Sequence, residues 1–230
     1  MSPGRVVFAG CGPGAPDLLT LRAVDALRSA DIVIWNASLL DRETLAAHLR
    51  ADAEIVQWPP ATPDDIHAAF RRALADDLLV VRCKGGDPTL LGDIGPELRA
   101  ARELGLTCEI VPGVSAAGAA AAAARCELAT TADPVLLVDM AGLAGAPAGA
   151  CGIAVHGASR DPLGLQRTLL ARGLDASTPC VVAIEVSRRG ETLIACRLAE
   201  LAETVQDFGL GVLTLVLVGR DPGPGGTLDA

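Results

Sequence analysis

Two adjacent glycines followed by an acid and a proline form the stretch of this sequence best suited to ligand chemistry. They are Gly85-Gly86-Asp87-Pro88, and they come after an apolar run, Leu78–Val81, that predicts a buried strand. Glycine has no Cβ, so a ligand can contact backbone N–H and C=O groups there. Pro88 fixes its own φ and favours an extended conformation for Asp87. The stretch predicts either a ligand-binding exit at the carboxyl end of a strand or an ordinary turn, and alone it does not decide between them.

A second glycine-rich stretch follows the first predicted strand, Arg5–Gly10, and has the spacing of a dinucleotide-binding fingerprint. It is Gly10-Cys11-Gly12-Pro13-Gly14-Ala15, which fits GxGxxG/A formally. Pro13 and Pro16, however, delay the start of the next helix. The second strand also ends in Asn36, where a nicotinamide-binding protein carries an acid for the ribose hydroxyl. The pattern therefore disfavours a nicotinamide-dependent dehydrogenase.

Strands and helices alternate in the first half of the chain, and they must position both glycine-rich stretches. This alternation predicts a parallel sheet with helices on its faces. Hydrophobic periodicity and turn residues give strands at Arg5–Gly10, Ile32–Trp35, Glu54–Gln57, 78–81 and Thr107–Val111, and helices at Leu18–Ser29, Asp41–His48, 63–75 and Ile94–Leu104.

The second half predicts a mixed sheet. Its candidate strands are Val135–Asp139, Gly152–His156, Cys180–Glu185, Thr192–Cys196 and 212–219, and its helices are 116–124, 163–172 and 198–205. The segment between the third and fourth of these strands is too short for a helical crossover, so we expect a hairpin there. The fold class expected is thus α/β, with an N-terminal domain at 1–113, a C-terminal domain at 114–221 and a disordered tail at 222–230.

Composition excludes several classes of function. A net charge of −9 and an aromatic content of 2% disfavour nucleic-acid binding, which needs basic residues and stacking surfaces. No run approaches the roughly 18 apolar residues of a membrane span. The seven cysteines form no CxxC pair, which indicates reduced thiols in the cytoplasm rather than disulfides or a metal site. We therefore expect a cytoplasmic protein with no metal, no membrane partner and no nucleic-acid partner.

Three blocks in order resemble the tetrapyrrole (corrin/porphyrin) methyltransferase family. They are Val7–Ala23 with its Gly-x-Gly-Pro-Gly core, the Gly-Asp-Pro block at Arg82–Gly92, and Val111-Pro112-Gly113-Val114-Ser115-Ala116. Within the family, Trp35-Asn36-Ala37-Ser38-Leu39-Leu40 is most similar to the corresponding segment of precorrin-4 C11-methyltransferases. The resemblance covers roughly residues 5–220 and is closer over the first 130.

The resemblance implies two α/β domains with an active-site cleft between them, a homodimer, and S-adenosyl-L-methionine as methyl donor. It implies cofactor contacts, largely through the backbone, at Pro13, Gly85, Gly86, Asp87, Leu90, Ser115, Ala116 and His156. The reduced tetrapyrrole substrate carries many carboxylates, which arginines bind well. We therefore expect substrate contacts from Ser38, Arg82 and Arg188.

The second half departs from the precorrin-4 pattern, and this leaves alternatives open. Those enzymes carry a glutamine and an arginine around the strand at 135–139, and both are missing from this chain. The protein could methylate another precorrin or uroporphyrinogen III, or it could be a diverged homologue that binds without catalysis. No side chain stands out as the catalytic base, and the weak candidates are Asp17, His156 and Glu191.

Overall fold

The computed structural model describes residues 4–38, 40–146, 152–208 and 213–222. The chain divides into two compact units, Met1–Ser115 and Ala116–Ala230. The predicted boundary, between residues 113 and 114, lies two residues before this division. The predicted tail at 222–230 falls almost wholly outside the described residues.

The first unit contains one five-stranded parallel sheet. Its strands are β1 (Arg5–Gly10), β2 (Ile32–Trp35), β3 (Glu54–Gln57), β4 (Leu79–Lys84) and β5 (Thr107–Val111). Their order is β3-β2-β4-β1-β5, so β4 and β1 lie in the middle. The helices between them are α1 (Leu21–Ser29), α2 (Arg42–Ala46), α3 (Pro63–Asp76) and α4 (Gly95–Glu103).

Apolar side chains cover both faces of this sheet. Alternate residues of β1 enter two different cores: Val7 packs beneath α1, whereas Phe8 packs against Phe70 of α3. Strands buried on both faces carry continuous apolar runs, as predicted for a parallel sheet. The start of α3 is fixed by a capping box between Thr62 and Asp65.

The second unit contains a mixed five-stranded sheet. Its helices are α5 (Ala116–Ala123), α6 (Met140–Leu143), α7 (Pro162–Ala171) and α8 (Leu201–Gln206), and its strands are β6 (Val135–Asp139), β7 (Gly152–His156), β8 (Pro179–Ile184), β9 (Thr192–Arg197) and β10 (Thr214–Val218). The order is β6-β7-β10-β8-β9, and only β6 and β7 are parallel. The predicted hairpin is confirmed, because β8 and β9 pair antiparallel with Cys180 opposite Cys196.

The predicted α/β class, with a parallel first sheet and a mixed second sheet, is confirmed. The first helix was predicted to begin too early. Residues Pro16–Leu18 form a short 3₁₀ turn, and α1 begins only after Thr20, whose side chain caps it by accepting from the N–H of Ala23. The helix α6, capped by Asp139, was not predicted at all.

Candidate cofactor and substrate site

The exits of three adjacent strands bring the three glycine-bearing blocks of the first unit together. β1 lies between β4 and β5, and all three are parallel, so their carboxyl ends share one edge of the sheet. A Cβ on Gly113 would lie 2.1 Å from the carbonyl oxygen of Gly86, and one on Gly10 would lie 2.6 Å from the nitrogen of Gly113. Side chains at Gly10 and Gly113 are thus excluded by the neighbouring backbone.

Backbone hydrogen bonds join two of these exits directly. Gly86 donates its N–H to the carbonyl of Gly12 at 2.8 Å, and Gly12 donates to the carbonyl of Gly86 at 3.3 Å. Gly12 and Gly86 both have left-handed φ values, 69° and 62°, which favour glycine. The glycine-rich turn after β1 is therefore bonded to the exit of β4. It does not open a helix, because α1 begins only at Leu21, and the amide cradle of a dinucleotide site is not formed there.

Asp87 joins the exit of β4 to that of β5. One carboxylate oxygen accepts from the N–H of Gly113 at 3.3 Å, and the other accepts from the N–H and the hydroxyl of Thr89 at 2.7 and 2.6 Å. Burial favours the neutral acid, but the bonds from Thr89 and Gly113 outweigh it, and the pKa of Asp87 lies below its ordinary value. Asp87 is thus an ionised carboxylate at the strand exits near neutral pH.

The remaining predicted cofactor residues of the first unit lie on the same three connections. Pro13 is buried in the turn after β1, and Ser115 is half-buried in the connection after β5. Leu90 follows the Asp87 turn, in which its N–H bonds to the Asp87 carbonyl, and the residue is 44% exposed. The two stretches that sequence patterns singled out, together with the Pro112–Ser115 block, therefore meet at one edge of the sheet.

A buried cluster of charges lies on β4, immediately before the glycines. The guanidinium of Arg82 donates to both carboxylate oxygens of Glu97 at 2.8 and 3.1 Å, and Lys84 donates to the same carboxylate at 3.0 Å. Arg82 also lies over the ring of Trp58, 5.6 Å from its centroid. The side chain of Arg82 is only 5% exposed. This geometry argues against the predicted direct contact of Arg82 with substrate.

Lys84 is the only lysine of the sequence, and sequence reasoning missed its partner Glu97. Burial, followed by the charge of Arg82, lowers the pKa of Lys84 despite the attraction of Glu97. For Glu97, burial acts to raise the pKa, but the two cations outweigh it and the pKa is lowered. By formal charge the cluster sets two cations against one carboxylate at the carboxyl end of the central strand, and Asp93 also acts on Lys84.

Ser38 lies in the exposed loop after β2, the neighbour of β4. Its N–H and hydroxyl both donate to the Asn36 side-chain oxygen, at 2.9 and 2.8 Å. The indole of Trp35 donates to the carbonyl of Leu40 at 2.8 Å and fixes the other end of the loop. These contacts hold the described residues on either side of residue 39.

In the second unit, His156 ends β7 directly beside Asp139, the last residue of β6. His156 is half-buried. Burial lowers the pKa of its imidazole, and the charge of Asp139 opposes that effect. One oxygen of Asp139 accepts from the N–H of Gly142 at 2.7 Å and caps α6. Asp139 was missed by sequence reasoning, although it stands in the strand where the precorrin-4 pattern departs.

Arg188 and Glu191 lie in the β8–β9 turn and have structural contacts there. Arg188 forms an ion pair with Glu185 at 3.6 Å, and the carboxylate of Glu191 accepts from the N–H of Ser187. Ser187 and Glu185 both have left-handed φ values, 60° and 49°, so this turn is conformationally demanding. Asp17 is exposed on the 3₁₀ turn before α1. Of the three weak base candidates, only His156 combines partial burial with a neighbouring carboxylate.

Residues 5–202 match the model of the tetrapyrrole (corrin/porphyrin) methylases. The chain belongs to this family. The predicted family is therefore confirmed, and so is the predicted cofactor, since tetrapyrrole methylases use S-adenosylmethionine. The site fits such a donor: it offers backbone groups and an ionised Asp87, and the ligand carries ammonium and sulfonium charges.

Relatives of this chain include uroporphyrinogen-III methyltransferases, precorrin-4 methyltransferases and siroheme synthases. The uroporphyrinogen-III C-methyltransferase of Paracoccus denitrificans is 30% identical over 94% of this chain and 81% of its own length. The precorrin-4 C(11)-methyltransferase of Pseudomonas aeruginosa is 37% identical, but over 54% of this chain and 48% of its own. The chain spans about half the length of a siroheme synthase from Methylococcus capsulatus, at 30% identity.

Solved structures show the same division. A cobalt precorrin-4 methyltransferase of cobalamin biosynthesis matches with a TM-score of 0.86 and 26% identity, covering 94% of each chain. A uroporphyrin-III C-methyltransferase from Thermus thermophilus, complexed with S-adenosyl homocysteine, matches with a TM-score of 0.77 and 28% identity over 94% of this chain and 98% of that one.

Within the part of the chain that the structure describes, no helix is long and apolar enough to cross a membrane. The same residues contain no group of three or more histidine, cysteine, aspartate or glutamate side chains that could hold a metal ion. Six cysteines among them are free thiols.

Proposed function

We propose that this protein is an S-adenosylmethionine-dependent C-methyltransferase of a reduced tetrapyrrole in corrin biosynthesis, acting on C11 of precorrin-4. The observation that carries the proposal is the convergence of the Gly10, Gly86 and Gly113 exits on Asp87 in a tetrapyrrole methylase. The precorrin-4 substrate is supported by the TM-score of 0.86 to a cobalt precorrin-4 methyltransferase and by the loop sequence Trp35–Leu40.

The cofactor residues proposed in the first unit are Pro13, Gly85, Gly86, Asp87, Leu90 and Ser115, and those in the second are Ala116 and His156. When bound, the donor supplies an electrophilic methyl group. The protein's tasks are to orient that group towards a nucleophilic ring carbon and to exclude water. Backbone groups at rigid strand exits suit the first task, because the mutual bonds of Gly12 and Gly86 fix their positions before a ligand arrives.

The proposed substrate contacts are Ser38 and Arg188, since the side chain of Arg82 is buried against Glu97. Tetrapyrrole precursors carry several carboxylates, which favour a site with positive charge. The net positive Arg82–Glu97–Lys84 cluster contributes such a field at short range, within the roughly 8 Å over which salt leaves charges unscreened. The overall charge of −9 acts over longer distances, where it is largely screened.

Uroporphyrinogen-III methylation is the second candidate. The observation that favours it is the 30% identity to the Paracoccus denitrificans enzyme along 94% of this chain, including the half that departs from the precorrin-4 pattern. The two candidates share the donor and differ in the tetrapyrrole that is methylated and in the ring carbon that receives the methyl group.

Calorimetry and labelled methyl transfer test the proposal in sequence. Titration with S-adenosylmethionine and S-adenosylhomocysteine should show binding of both, and absence of binding at high micromolar concentration contradicts the methylase function. Labelled methyl from the donor should then enter precorrin-4, with the position read by NMR of the product. Label in uroporphyrinogen III but not in precorrin-4 would favour the second candidate, and label in neither would favour a non-catalytic homologue.

We also propose a cytoplasmic homodimer. The first unit exposes several large apolar side chains, with Leu21 at 84%, and the free thiols suit a reducing compartment. Light scattering should give twice the chain mass of 23.4 kDa. A mass of one chain at micromolar concentration contradicts the dimer.

A further inference from the structure

Three features single out the end of β7 from the rest of the second unit. His156 is the last residue of a strand that is otherwise fully buried, and it is itself half-buried. It lies opposite Asp139 in the parallel β6–β7 pairing and opposite Leu215 in the antiparallel β7–β10 pairing. Side chains at opposed positions of paired strands lie on the same face of the sheet. The imidazole and the carboxylate therefore lie side by side.

The face that carries this pair is the one covered by α5. Ala154, two residues before His156, packs in one cluster with Leu215, Leu217 and the alanines of α5. Residues two apart on a strand share a face, so His156 extends this cluster at its open end. The proposed cofactor residue Ala116 begins the helix on that same face. The half-buried imidazole and the start of α5 thus belong to one face of the second sheet.

The charged groups around the imidazole are few. Asp139 approaches it from β6, whereas α5, α6 and β10 carry no titratable side chain. After β7, the 3₁₀ turn contributes Arg160, whose side chain lies over Gly157. On the far side of β10 in the sheet, Glu185 follows β8; it is paired with Arg188 and accepts from the N–H of Leu213. Asp139 is therefore the one charge that acts on the imidazole itself in the described residues.

We propose that the side chain of His156 accepts the proton released when the tetrapyrrole ring is methylated. Asp139 is then the positioning residue, whose charge acts on the imidazole of His156. The proposal rests on the methylase function above. The new C–C bond takes an electron pair from the ring, the S–C bond breaks with its pair remaining on sulfur, and the ring is left with one positive charge. Loss of one proton to the neutral imidazole restores the ring and leaves an imidazolium, which later releases the proton to water.

The proposal predicts a pH profile with a defined direction. A neutral imidazole is required, so the single-turnover rate should rise with pH through the pKa of His156 and then level off. Because burial favours the neutral form, this rise should occur below the ordinary histidine value of 6.5. The variant Asp139→Asn removes the charge that opposes the effect of burial, so the rise should move to still lower pH. The variant His156→Gln should lose the rise and slow the step by about 100-fold.

NMR provides a readout that does not depend on turnover. The chain has only three histidines, so Cε1–H signals of the free protein can be assigned with His48→Gln, His67→Gln and His156→Gln. The pKa measured for His156 should coincide with the midpoint of the kinetic profile, and both should fall together in Asp139→Asn. His67→Gln, on α3 of the first unit, is the matched control and should change neither.

The substrate for the kinetic arm is precorrin-4 or uroporphyrinogen III, whichever accepts labelled methyl. S-adenosylhomocysteine should bind His156→Gln and the wild type within about threefold, because the proposed cofactor contact at this position is a backbone one. Normal turnover of His156→Gln, or a profile that does not follow the NMR pKa in Asp139→Asn, would overturn the proposal and leave the methylase function standing. Absence of S-adenosylhomocysteine binding to the wild type would overturn the methylase function instead.

Discussion

At the scale of single residues, the glycines of the candidate site serve a purpose different from the one their sequence suggests. The pattern predicts missing side chains that make room for a ligand. In the structure, Gly10 and Gly113 make room for neighbouring backbone, since a Cβ on either would lie within 3 Å of another strand exit. Asp87 then bonds across the gap to Gly113. The candidate site therefore requires the carboxyl ends of three strands to approach one another closely, whether or not a ligand is bound.

Gly113→Ala tests this dependence. The added methyl would lie 2.1 Å from the Gly86 oxygen, so the exits of β4 and β5 must separate and Asp87 must lose its bond to residue 113. We expect a stability loss of about 1–3 kcal/mol and at least a tenfold weaker affinity for S-adenosylhomocysteine by calorimetry. Gly145→Ala is the control, because a Cβ there meets nothing within 4 Å. Equal affinity in Gly113→Ala and the wild type would contradict the argument.

At the scale of elements, α4 packs Leu98 and Ala101 into the core of the first unit and also brings Glu97 to β4. Glu97 lies in the first turn of this helix, where a carboxylate is favoured by the helix dipole. From there it neutralises one of the two buried cations, Arg82 and Lys84, which lie two residues apart on one face of the strand. The chain offers a natural comparison in Arg72 and Glu54, a two-bonded pair of the same chemistry that is nearly half-exposed.

Glu97→Gln should therefore destabilise the protein far more than Glu54→Gln. Removing the charge leaves two buried cations uncompensated, which costs about 3 kcal/mol, whereas the exposed pair contributes about 0–1 kcal/mol. Urea unfolding followed by tryptophan fluorescence is a suitable measurement, since Trp35 and Trp58 both belong to the first unit. Similar losses in the two variants would show that burial of the cluster does not matter.

The pH dependence of unfolding in the wild type and in Glu97→Gln gives a further test. The pKa of Glu97 is lowered by folding, so its contribution is complete above its ordinary value of 4.5 and is lost as the pH falls through the folded value. The stability difference between the wild type and Glu97→Gln should thus be constant from pH 6 to 7 and shrink below about pH 4.5. A difference that grows on acidification would contradict this assignment.

At the scale of the whole molecule, the two units have different sheets and different packing chemistry. Both sheets are covered on both faces, but one face of the second, mixed sheet is covered by the alanine stripe of α5. Alanine allows close approach of helix and sheet but buries little area per residue. Ligand binding that involves residues of a unit should stabilise that unit by mass action.

Thermal unfolding should report this stabilisation. At 100 times its Kd, S-adenosylhomocysteine is expected to add about 2.7 kcal/mol, which corresponds to a rise in Tm of roughly 5–10 °C for a protein of this size. NADH at the same concentration is the control and should leave Tm unchanged, since Asn36 stands where a nicotinamide site needs an acid. A comparable rise with NADH would revive the dehydrogenase interpretation.

The sequence by itself determined the strands, the class of each sheet and the family. Continuous apolar runs such as Val80–Val81, turns of glycine and proline, and the short β8–β9 connection are local signals, and each of them appears where it was expected. Three ordered blocks were sufficient to identify a tetrapyrrole methylase, because backbone-binding turns need particular residues at particular spacings.

Only the tertiary structure decided which side chains meet. Arg82 and Glu97 are 15 residues apart in the chain, as Asp139 and His156 are 17 apart, and their pairing depends on where a helix or a neighbouring strand returns. Strand order also decided that β1, β4 and β5 are neighbours, which put Gly10, Gly86 and Gly113 in contact. Local sequence patterns do not show which distant residues become neighbours, because burial and charge compensation are properties of the folded arrangement and not of the residues alone.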